Sequence, residues 1–372
     1  MSRLRLGMVG GGQGAFIGGV HRYAARLDGR WDLVAGALSS DPKRAAASAA
    51  DLGLDPSRSY SDFADMAREE AARADGIDAV VIVTPNHMHA GPAIAFLDAG
   101  IHVICDKPLA GTEADAQAIA AAVERSNVHF ILTHNYTGYP MIRQARAMVR
   151  AGELGAIRVV QVEYAQDWLT EPSEGKQAVW RTDVSRSGRG GAIADIGTHA
   201  FNLANFTTCL SPSHVAADLS AFVPGRPVDD NAHVMLRYPG GARGILWASQ
   251  VAVGNDNSLR LRVYGDKAGL EWNQEDPNRL TYTRHGQVRQ ILTRGGPGLD
   301  QAATDATRIP AGHPEGYLEG FATLYREAAD LILSGGALDE CCLPGIKDGL
   351  QGVRFVAACL ASAEANAAWE EI

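Results

Sequence analysis

The chain has 372 residues, of which 46% are hydrophobic and 21% are charged, and its formal net charge is −9 at pH 7. This composition is that of a globular protein and excludes the fibrous and disordered classes. The length predicts about two domains, because domains commonly hold about 150 residues. A general nucleic-acid binder needs a basic surface, so the acidic balance argues against that class.

Neither a membrane span nor a secretory leader is expected. No apolar run approaches the roughly 18 residues of a transmembrane helix, and Gly10 interrupts the short apolar stretch near the N-terminus. The five cysteines lack the spacing of a zinc site. Few and unpaired cysteines are typical of a reducing compartment, so we expect a cytoplasmic protein without a bound metal.

Short apolar runs alternate with helical patterns through the N-terminal third of the chain. The runs are rich in aliphatic side chains and too short for helices, which is typical of buried strands. These strands are predicted at residues 4–9, 33–38, 79–83, 101–105 and 128–132. Between them, helices are predicted near residues 42–52, 61–74 and 112–126. Strands that alternate with helices through short links predict a doubly wound parallel sheet with helices on both faces.

A different pattern starts after Tyr136, where a helix predicted at about 140–150 is followed by long alternating strands. One strand is predicted at residues 157–164, and in residues 259–263 leucine and valine alternate with arginine. The sequence Pro-Gly-Gly at residues 239–241 lies between two such patterns and is typical of a hairpin turn. Alternating strands joined by tight turns predict an antiparallel sheet with one open face.

Two further helices are predicted near the C-terminus, at about 314–334 and 345–366. We place the domain boundary after residue 134, which gives domains of residues 1–134 and 135–372. Four apolar side chains of the second sheet are expected to lie on its exposed face and to need cover. These side chains are Val160, Val162, Trp247 and Leu261. The sequence therefore predicts a homodimer or a homotetramer.

A glycine-rich loop follows the first predicted strand. Gly10 and Gly12 match the start of a G-x-G-x-x-G pattern, and its third position falls on Ala15, or on Gly18 if the loop is longer. Glycines at a strand-to-helix turn let the backbone approach a pyrophosphate, whose charge then lies at the helix N-terminus. The alternative is a plain tight turn. The loop predicts a dinucleotide site, with contacts from Gly10, Gly12, Phe16 and Ile17.

The end of the second predicted strand bears on the choice of nucleotide. An acid about 20 residues beyond such a loop binds the ribose hydroxyls, but the strand here ends in Ser39 and Ser40. Asp41 is either that acid or the cap of the next helix. Serine together with Lys43 or Arg44 also suits the 2′-phosphate of NADP. We expect NAD, keep NADP open, and expect cofactor contacts from Ser39, Ser40 and Lys43.

Polar motifs follow the third and fourth predicted strands. The third is followed by Thr-Pro-Asn-His-Met-His at residues 84–89, and the fourth by Asp-Lys-Pro at residues 106–108. In an open parallel sheet, ligands bind beyond the carboxyl ends of the strands. Both motifs should therefore lie near the glycine loop. The remaining predicted cofactor contacts are Thr84, Asn86, His89, Asp106 and Lys107.

A later helical pattern opens with two glycines at residues 190–191 and contains Asp195 and His199. Side chains four residues apart share one face of a helix. The pair is open to three interpretations: an ion pair on a helix face, part of a metal site, or part of a catalytic site. No second cluster of acids and histidines supports the metal.

Together, these motifs resemble those of the Gfo/Idh/MocA oxidoreductases, a family that includes glucose–fructose oxidoreductase and inositol dehydrogenases. The resemblance rests on the ordered glycine loop, Thr-Pro-Asn-x-x-His, Lys-Pro and Asp-x-x-x-His motifs, and it covers nearly the whole chain. It implies a Rossmann domain followed by an α/β domain with a large open antiparallel sheet. The glycine loop is longer than the family norm, and Asp106 stands where the family commonly has Glu.

A finer resemblance comes from residues 166–168, Gln-Asp-Trp, and residues 180–181, Trp-Arg. They resemble the sugar-oxidising branch that includes levoglucosan dehydrogenases. Aromatic faces and planar polar groups are the side chains that hold sugars. The predicted substrate contacts are Asn135, Tyr136, Gln166, Trp168, Arg181 and His313. For Tyr136 and Trp168 the alternative is an ordinary place in the core, and His313 is open to assignment to a helix start.

The resemblance implies hydride transfer between a nicotinamide and a carbinol of a sugar or cyclic polyol. Oxidising an alcohol requires a base for the hydroxyl proton, and His199 suits this role with an ordinary pKa of about 6.5. Lys107 supplies a cation for the developing alkoxide, and Asp195 orients His199 or binds a hydroxyl. Two alternatives remain open: a dinucleotide-binding regulator without turnover, and a redox-neutral enzyme with a retained cofactor.

Overall fold

The computed structural model of the chain describes residues 3–172, 175, 183–184, 188–338 and 342–372. The chain forms two compact units. The first unit consists of Met1–Asn135 and Leu318–Leu350, and the second consists of Tyr136–Tyr317 and Gln351–Ile372. This grouping places a C-terminal segment with the N-terminal residues. The single domain boundary after residue 134 stays a prediction.

The first unit contains the predicted parallel sheet. Its strands are β1 (Leu4–Gly10), β2 (Trp31–Ala37), β3 (Ala79–Val83), β4 (His102–Cys105) and β5 (Phe130–Leu132). They lie in the order β2-β1-β3-β4-β5, and every pairing is parallel. The order reverses beside β1, which is the arrangement that opens a ligand crevice at the carboxyl ends of a doubly wound sheet. The predicted α/β fold of this part is confirmed.

Helices connect these strands, and polar side chains cap several of them. The helices are α1 (Phe16–Leu27), α2 (Pro42–Asp51), α3 (Phe63–Ala72), α4 (Ala90–Asp98) and α5 (Glu113–Arg125). The Asp41 side chain accepts a hydrogen bond from the Arg44 N–H of α2, and the Thr112 side chain accepts one from the Asp115 N–H of α5. Such caps satisfy N–H groups that have no acceptor within the helix. Asp41 is therefore a helix cap.

The second unit contains a nine-stranded sheet. Its strands are β6 (Ile157–Ala165), β7 (His214–Ser220), β8 (Asn231–Arg237), β9 (Arg243–Ser249), β10 (Ser258–Gly265), β11 (Ala268–Asn273), β12 (Arg279–Arg284), β13 (Gln290–Thr293) and β14 (Glu370–Glu371). Their order is β13-β12-β11-β10-β6-β9-β8-β7-β14. Only β6 and β9 pair in parallel among these described strands, and all the other pairs are antiparallel. The predicted large sheet is confirmed.

Helices cover one face of this sheet and leave the other open. The remaining helices are α6 (Pro140–Arg150), α7 (Thr198–Thr208), α8 (Gln301–Asp305), α9 (Tyr317–Ser334) and α10 (Ile346–Glu364). Residues of α6, α7 and the end of α10 share one apolar core with the sheet. In the described part of the chain, no helix is both long enough and apolar enough to cross a bilayer.

The expectation about the open face is wrong for three of its four residues. Val160, Val162 and Leu261 are buried in the core of their own unit and need no partner to cover them. The open face instead exposes their neighbours, with Val159 36% and Ile245 49% exposed. Alternation predicts that a strand has two faces, but it does not say which face the helices cover.

Candidate active site

The glycine loop after β1 is packed so closely that several of its positions admit no side chain. Gly10 and Gly11 have positive φ angles of 80° and 72°. A Cβ on Gly12 would lie 2.6 Å from the Leu38 carbonyl oxygen, and one on Gly18 would lie 2.5 Å from Gly11 Cα. Gly18 therefore lets α1 approach the loop. In the dinucleotide fingerprint this close helix–strand packing is the role of the third glycine.

The start of α1 is suited to bind an anion. Its N-cap residue, Ala15, makes no side-chain hydrogen bond to the helix, so no side chain neutralises the positive end of the helix dipole. The Arg22 guanidinium donates to the Gly11 carbonyl at 2.7 Å and holds the loop. Phe16 is exposed and Ile17 is half-buried at the helix start. This glycine cradle and helix N-terminus fit the pyrophosphate of a dinucleotide.

The end of β2 offers hydroxyls and a cation to a ribose. The Ser39 hydroxyl accepts a hydrogen bond from the Asp41 N–H at 3.2 Å, and Ser40 and Lys43 are exposed. The Asp41 carboxylate accepts from the Arg44 N–H at 2.8 Å, as a cap. These side chains are compatible with the ribose of NAD and with the 2′-phosphate of NADP.

His89 braces the two loops that follow β3 and β4. Its ring nitrogens lie 2.9 Å from the carbonyl oxygens of Pro108 and Thr84, and the residue is 1% exposed. Burial lowers the pKa of the imidazole. The predicted contact of His89 with a cofactor stays a prediction. Its ring fixes the segments that carry Asn86 and Lys107.

Asp106 and Lys107 lie in a partly buried polar cluster of the first unit. One Asp106 carboxylate oxygen accepts the Lys107 N–H at 2.8 Å and the Thr133 hydroxyl at 3.2 Å, and it lies 3.9 Å from His21 Nε2. The other ring nitrogen of His21 lies 2.8 Å from the Tyr325 hydroxyl of α9. Burial opposes ionisation of Asp106, but the His21 ring and the Lys107 ammonium outweigh it and the pKa of the carboxyl is lowered.

Two residues after β5 complete this cluster. Burial, together with the positive charge of Lys107, lowers the pKa of His134 to about 3, so the ring is neutral at physiological pH. Asn135 is 1% exposed, and its amide nitrogen has no hydrogen-bond partner in the part of the chain that the structure describes. His21, Thr133 and His134 were not predicted as site residues. The run Thr-His-Asn directly after a strand was the signal for the last two.

In the second unit, Asp195 and His199 lie on a helical segment that begins with a π-helical turn. The π-turn covers Ile193–Gly197 and continues into α7. The predicted helix is therefore present, and its first turn is the wider π-helical kind. Such turns are frequent at functional sites. The Asp195 carboxylate accepts a hydrogen bond from the Gln250 amide at 2.9 Å. His199 is half-buried.

Two tyrosines surround the His199 ring. The rings of Tyr136 and Tyr164 pack edge-on against it, with centroids 5.0 Å and 6.1 Å away. Their hydroxyls are 2.7 Å apart. Burial raises the pKa of both phenols, so both remain protonated and can donate hydrogen bonds.

Asn257 connects the tyrosines to two predicted substrate residues. Its side-chain oxygen accepts from the Tyr164 hydroxyl at 2.8 Å and from the Gln166 amide at 2.7 Å. Gln166 in turn accepts from the Trp168 indole N–H at 2.9 Å. The structure therefore brings Tyr136, Gln166, Trp168 and His199 into one part of the second unit. Tyr164 and Asn257 were not predicted.

A cavity of about 760 Å³ lies beside Asn257. Carboxylates and amides dominate its described lining, and no lysine, arginine or histidine is among those residues. The polar lining side chains are Asp256, Asn257, Gln274, Glu275, Asp276, Asn278 and Glu315. His313 is exposed on the loop before Glu315 and does not line this cavity. Arg181 lies outside the described residues. No three described His, Cys, Asp or Glu side chains group as a metal site would.

Family models match both parts of the chain. Residues 4–134 match an oxidoreductase family with an NAD-binding Rossmann fold, and residues 142–271 match a Gfo/Idh/MocA C-terminal domain. An oxidoreductase structure from Sinorhizobium meliloti shares 54% identity, with a TM-score of 0.92 and all of both chains covered. The chain belongs to the Gfo/Idh/MocA oxidoreductase family. The predictions of a Rossmann fold and an NAD-binding oxidoreductase are confirmed.

Other relatives of this Gfo/Idh/MocA protein are polyol and sugar dehydrogenases. An inositol dehydrogenase homolog from Azotobacter vinelandii, solved with NADH and myo-inositol, shares 37% identity and a TM-score of 0.92. That comparison covers 100% of this chain and 98% of the other. The levoglucosan dehydrogenase of Pseudarthrobacter phenanthrenivorans is 31% identical over 75% of this chain and 76% of its own.

Proposed function

We propose that this protein transfers a hydride between NAD and a carbinol of a neutral sugar, sugar derivative or cyclic polyol. The proposal rests on the residues that surround His199. Its ring lies against two tyrosines whose hydroxyls join Asn257 and Gln166 in one hydrogen-bonded network. Such a network can form hydrogen bonds with the hydroxyls of a polyol that is bound beside a base. The relatives that act on inositol and levoglucosan support the same substrate class.

The proposal assigns the proton chemistry to three side chains. A ring nitrogen of His199 takes the hydroxyl proton of the substrate, and in the reverse direction returns it. The Lys107 ammonium stabilises the negative charge that develops on the carbinol oxygen. Asp195, held by Gln250, orients His199 or accepts a substrate hydroxyl. When bound, the nicotinamide supplies the site for the hydride.

The same proposal assigns cofactor binding to the first unit. Gly10, Gly12 and the N-terminus of α1 hold the pyrophosphate, while Ser39 and Ser40 contact the ribose. Asn86 and Lys107 are proposed to lie on the nicotinamide side. We propose NAD as the physiological cofactor, because residues 4–134 match a family with an NAD-binding Rossmann fold and the Azotobacter vinelandii relative was solved with NADH.

The acidic cavity favours neutral substrates over anionic ones. Its carboxylates and amides can pair with hydroxyls, whereas an anionic substituent would meet the carboxylates of Asp256 and Glu275. The other two lining carboxylates, Asp276 and Glu315, are each paired with an arginine. We expect turnover of neutral polyols, with kcat/KM for their phosphate esters lower by about tenfold or more, since like charges oppose binding. A panel of inositols, anhydrosugars, aldoses and their phosphates, followed by NADH absorbance with NAD and NADP, measures this.

Binding and turnover must be measured on the same preparation. Calorimetric titration with NAD reports on the first unit whether or not a substrate has been found. NAD binding with no turnover on any polyol would contradict the proposed enzyme and favour a dinucleotide-binding regulator. A cofactor that copurifies and never dissociates would favour a redox-neutral reaction.

We also propose that the open face of the nine-stranded sheet is covered by a second copy of this chain, in a homodimer or homotetramer. Val159, Met235 and Ile245 are exposed there, with Met235 51% exposed and paired with Ile245 across neighbouring strands, and covering such apolar side chains favours association. Light scattering should give two or four times the 39.4 kDa chain mass; the mass of a single chain would contradict this.

The free thiols of the described cysteines fit the proposed cytoplasmic location.

A further inference from the structure

A buried carboxylate outside the motifs holds the start of the segment that carries Asp195 and His199. Asp229 is 8% exposed and lies just before β8. One of its carboxylate oxygens accepts the Gly191 N–H at 2.6 Å, and the other accepts the Ile193 N–H at 2.8 Å. Its carbonyl oxygen accepts the intervening N–H, from Ala192, at 2.9 Å. Three successive N–H groups therefore donate to one residue.

These three N–H groups lie at the start of a helix, where no intrahelical acceptor exists. A cap from the same segment is missing, because Ala192 precedes the π-turn and has no side chain that can accept a hydrogen bond. Asp229 supplies the acceptors from a distant part of the chain. Its negative charge also lies at the positive end of the helix, which strengthens the hydrogen bonds.

The backbones of the two segments are in close apposition. A Cβ on Gly191 would lie 1.9 Å from the Asp229 carbonyl oxygen, so only glycine allows this approach. From this fixed turn the chain continues to Asp195, whose N–H donates to the Gly191 carbonyl at 2.9 Å. A shift of Gly191 would therefore be passed on to Asp195 and, one turn later, to His199.

We propose that Asp229 is a positioning residue, whose ionised carboxylate fixes the turn at Gly191–Ile193 and thereby sets the places of Asp195 and His199. The roles of Asp195 and His199 in this inference rest on the proposed function. The hold of Asp229 on the turn does not depend on that function.

The charge on Asp229 is sensitive to pH. Burial raises the pKa of its carboxyl to about 6, against the hydrogen bonds from Gly191 and Ile193, which favour the ionised form. Two groups face it: Asp230, whose charge raises the pKa further, and the Cys359 thiol of α10. Asp230 is itself paired with Arg226. Above about pH 6 the carboxyl is ionised, which is the form in which both of its oxygens accept the N–H groups of the turn.

The test compares Asp229→Asn with Asp218→Asn, which changes an exposed carboxylate of β7 in the same unit. In Asp229→Asn, amide hydrogen exchange at Gly191 and Ile193 should be about tenfold faster or more. The NMR titration of the His199 imidazole should change, and kcat should fall about 100-fold with the KM for NAD unchanged, as for a misplaced catalytic group. Asp218→Asn should leave all three readouts as in the wild type.

The outcomes separate this inference from the proposed function. Unchanged exchange and an unchanged His199 titration in Asp229→Asn would overturn the inference, even in an active enzyme. A wild type without turnover, combined with the expected exchange and titration changes, would overturn the proposed function and support the positioning role. If Asp229→Asn does not fold, wild-type exchange decides. The Gly191 and Ile193 N–H groups must exchange much more slowly than their intrinsic rates, and exchange at the intrinsic rates overturns the inference.

Discussion

Replacing His199 by Asn is expected to lower kcat by a factor of about 10²–10⁴, which is the usual contribution of a general base. Asparagine is similar in size and polar, but its amide cannot take up a proton at neutral pH. Packing against Tyr136 and Tyr164 should therefore survive while the proton transfer is lost. Steady-state kinetics with the best substrate of the polyol panel, over a range of pH, measures the effect.

Two variants make this result specific. His285→Asn changes an exposed histidine after β12 and should leave kcat unchanged. Lys107→Met removes the cation proposed to stabilise the carbinol oxygen. If His199→Asn retains the wild-type kcat and pH profile, the proposed role of His199 is wrong, and an inactive Lys107→Met would then leave Lys107 as the residue on which turnover depends. NAD binding by His199→Asn should equal that of the wild type, because the proposed cofactor contacts lie in the first unit.

The largest expected loss of stability comes from Arg294→Met, which should lower the free energy of unfolding by about 3–5 kcal/mol. The Arg294 and Glu315 side chains are 1% and 2% exposed and lie 2.9 Å apart. The guanidinium also donates to the carbonyl oxygens of Ile309, Pro310 and His313. Methionine fills a comparable volume but leaves the Glu315 carboxylate buried without its cation.

Arg279→Met is the matched control. Arg279 pairs with Asp276 on the surface, where the two side chains are 64% and 54% exposed, and such a pair contributes about 0–1 kcal/mol. Chemical denaturation of both variants measures the difference. Equal losses in the two variants would show that the buried pair does not stabilise the fold.

Glu315 also lines the acidic cavity, so Arg294→Met should raise the KM for the polyol even where the protein remains folded.

The sequence alone was enough to predict the places of polar residues that come directly after a strand or share the face of a helix. The glycine loop, Asp106 and Lys107 come directly after strands whose bounds aliphatic runs define to within a few residues. Tyr136, Gln166, Trp168 and His199 were predicted as site residues from residue type and motif, and those roles stay predictions. The structure places these four side chains close together in the second unit.

The residues that the sequence did not identify depend on strand register and on distant segments. Antiparallel pairing of Ser258 with Ala165 brings Asn257 beside Gln166, and nothing in the local sequence encodes that pairing. Asp229 acts on a segment 36–38 residues away, and Arg294 acts on one 15–21 residues away. The parallel pair β6 and β9 was also unforeseen, because strands joined by short turns predict antiparallel neighbours.

Because His21 contacts Tyr325, the first unit cannot complete its packing during synthesis until α9 has been made. The Trp31 indole N–H donates to the Tyr325 carbonyl, so two buried side chains near the N-terminus take their partners from α9. At about 5–20 residues per second, a ribosome needs on the order of 10–40 s to make the chain between Asn135 and Leu318. During that time the nucleotide-binding sheet exists without the helix that covers Trp31. Its final packing therefore forms only after nearly all of the polypeptide has left the exit tunnel.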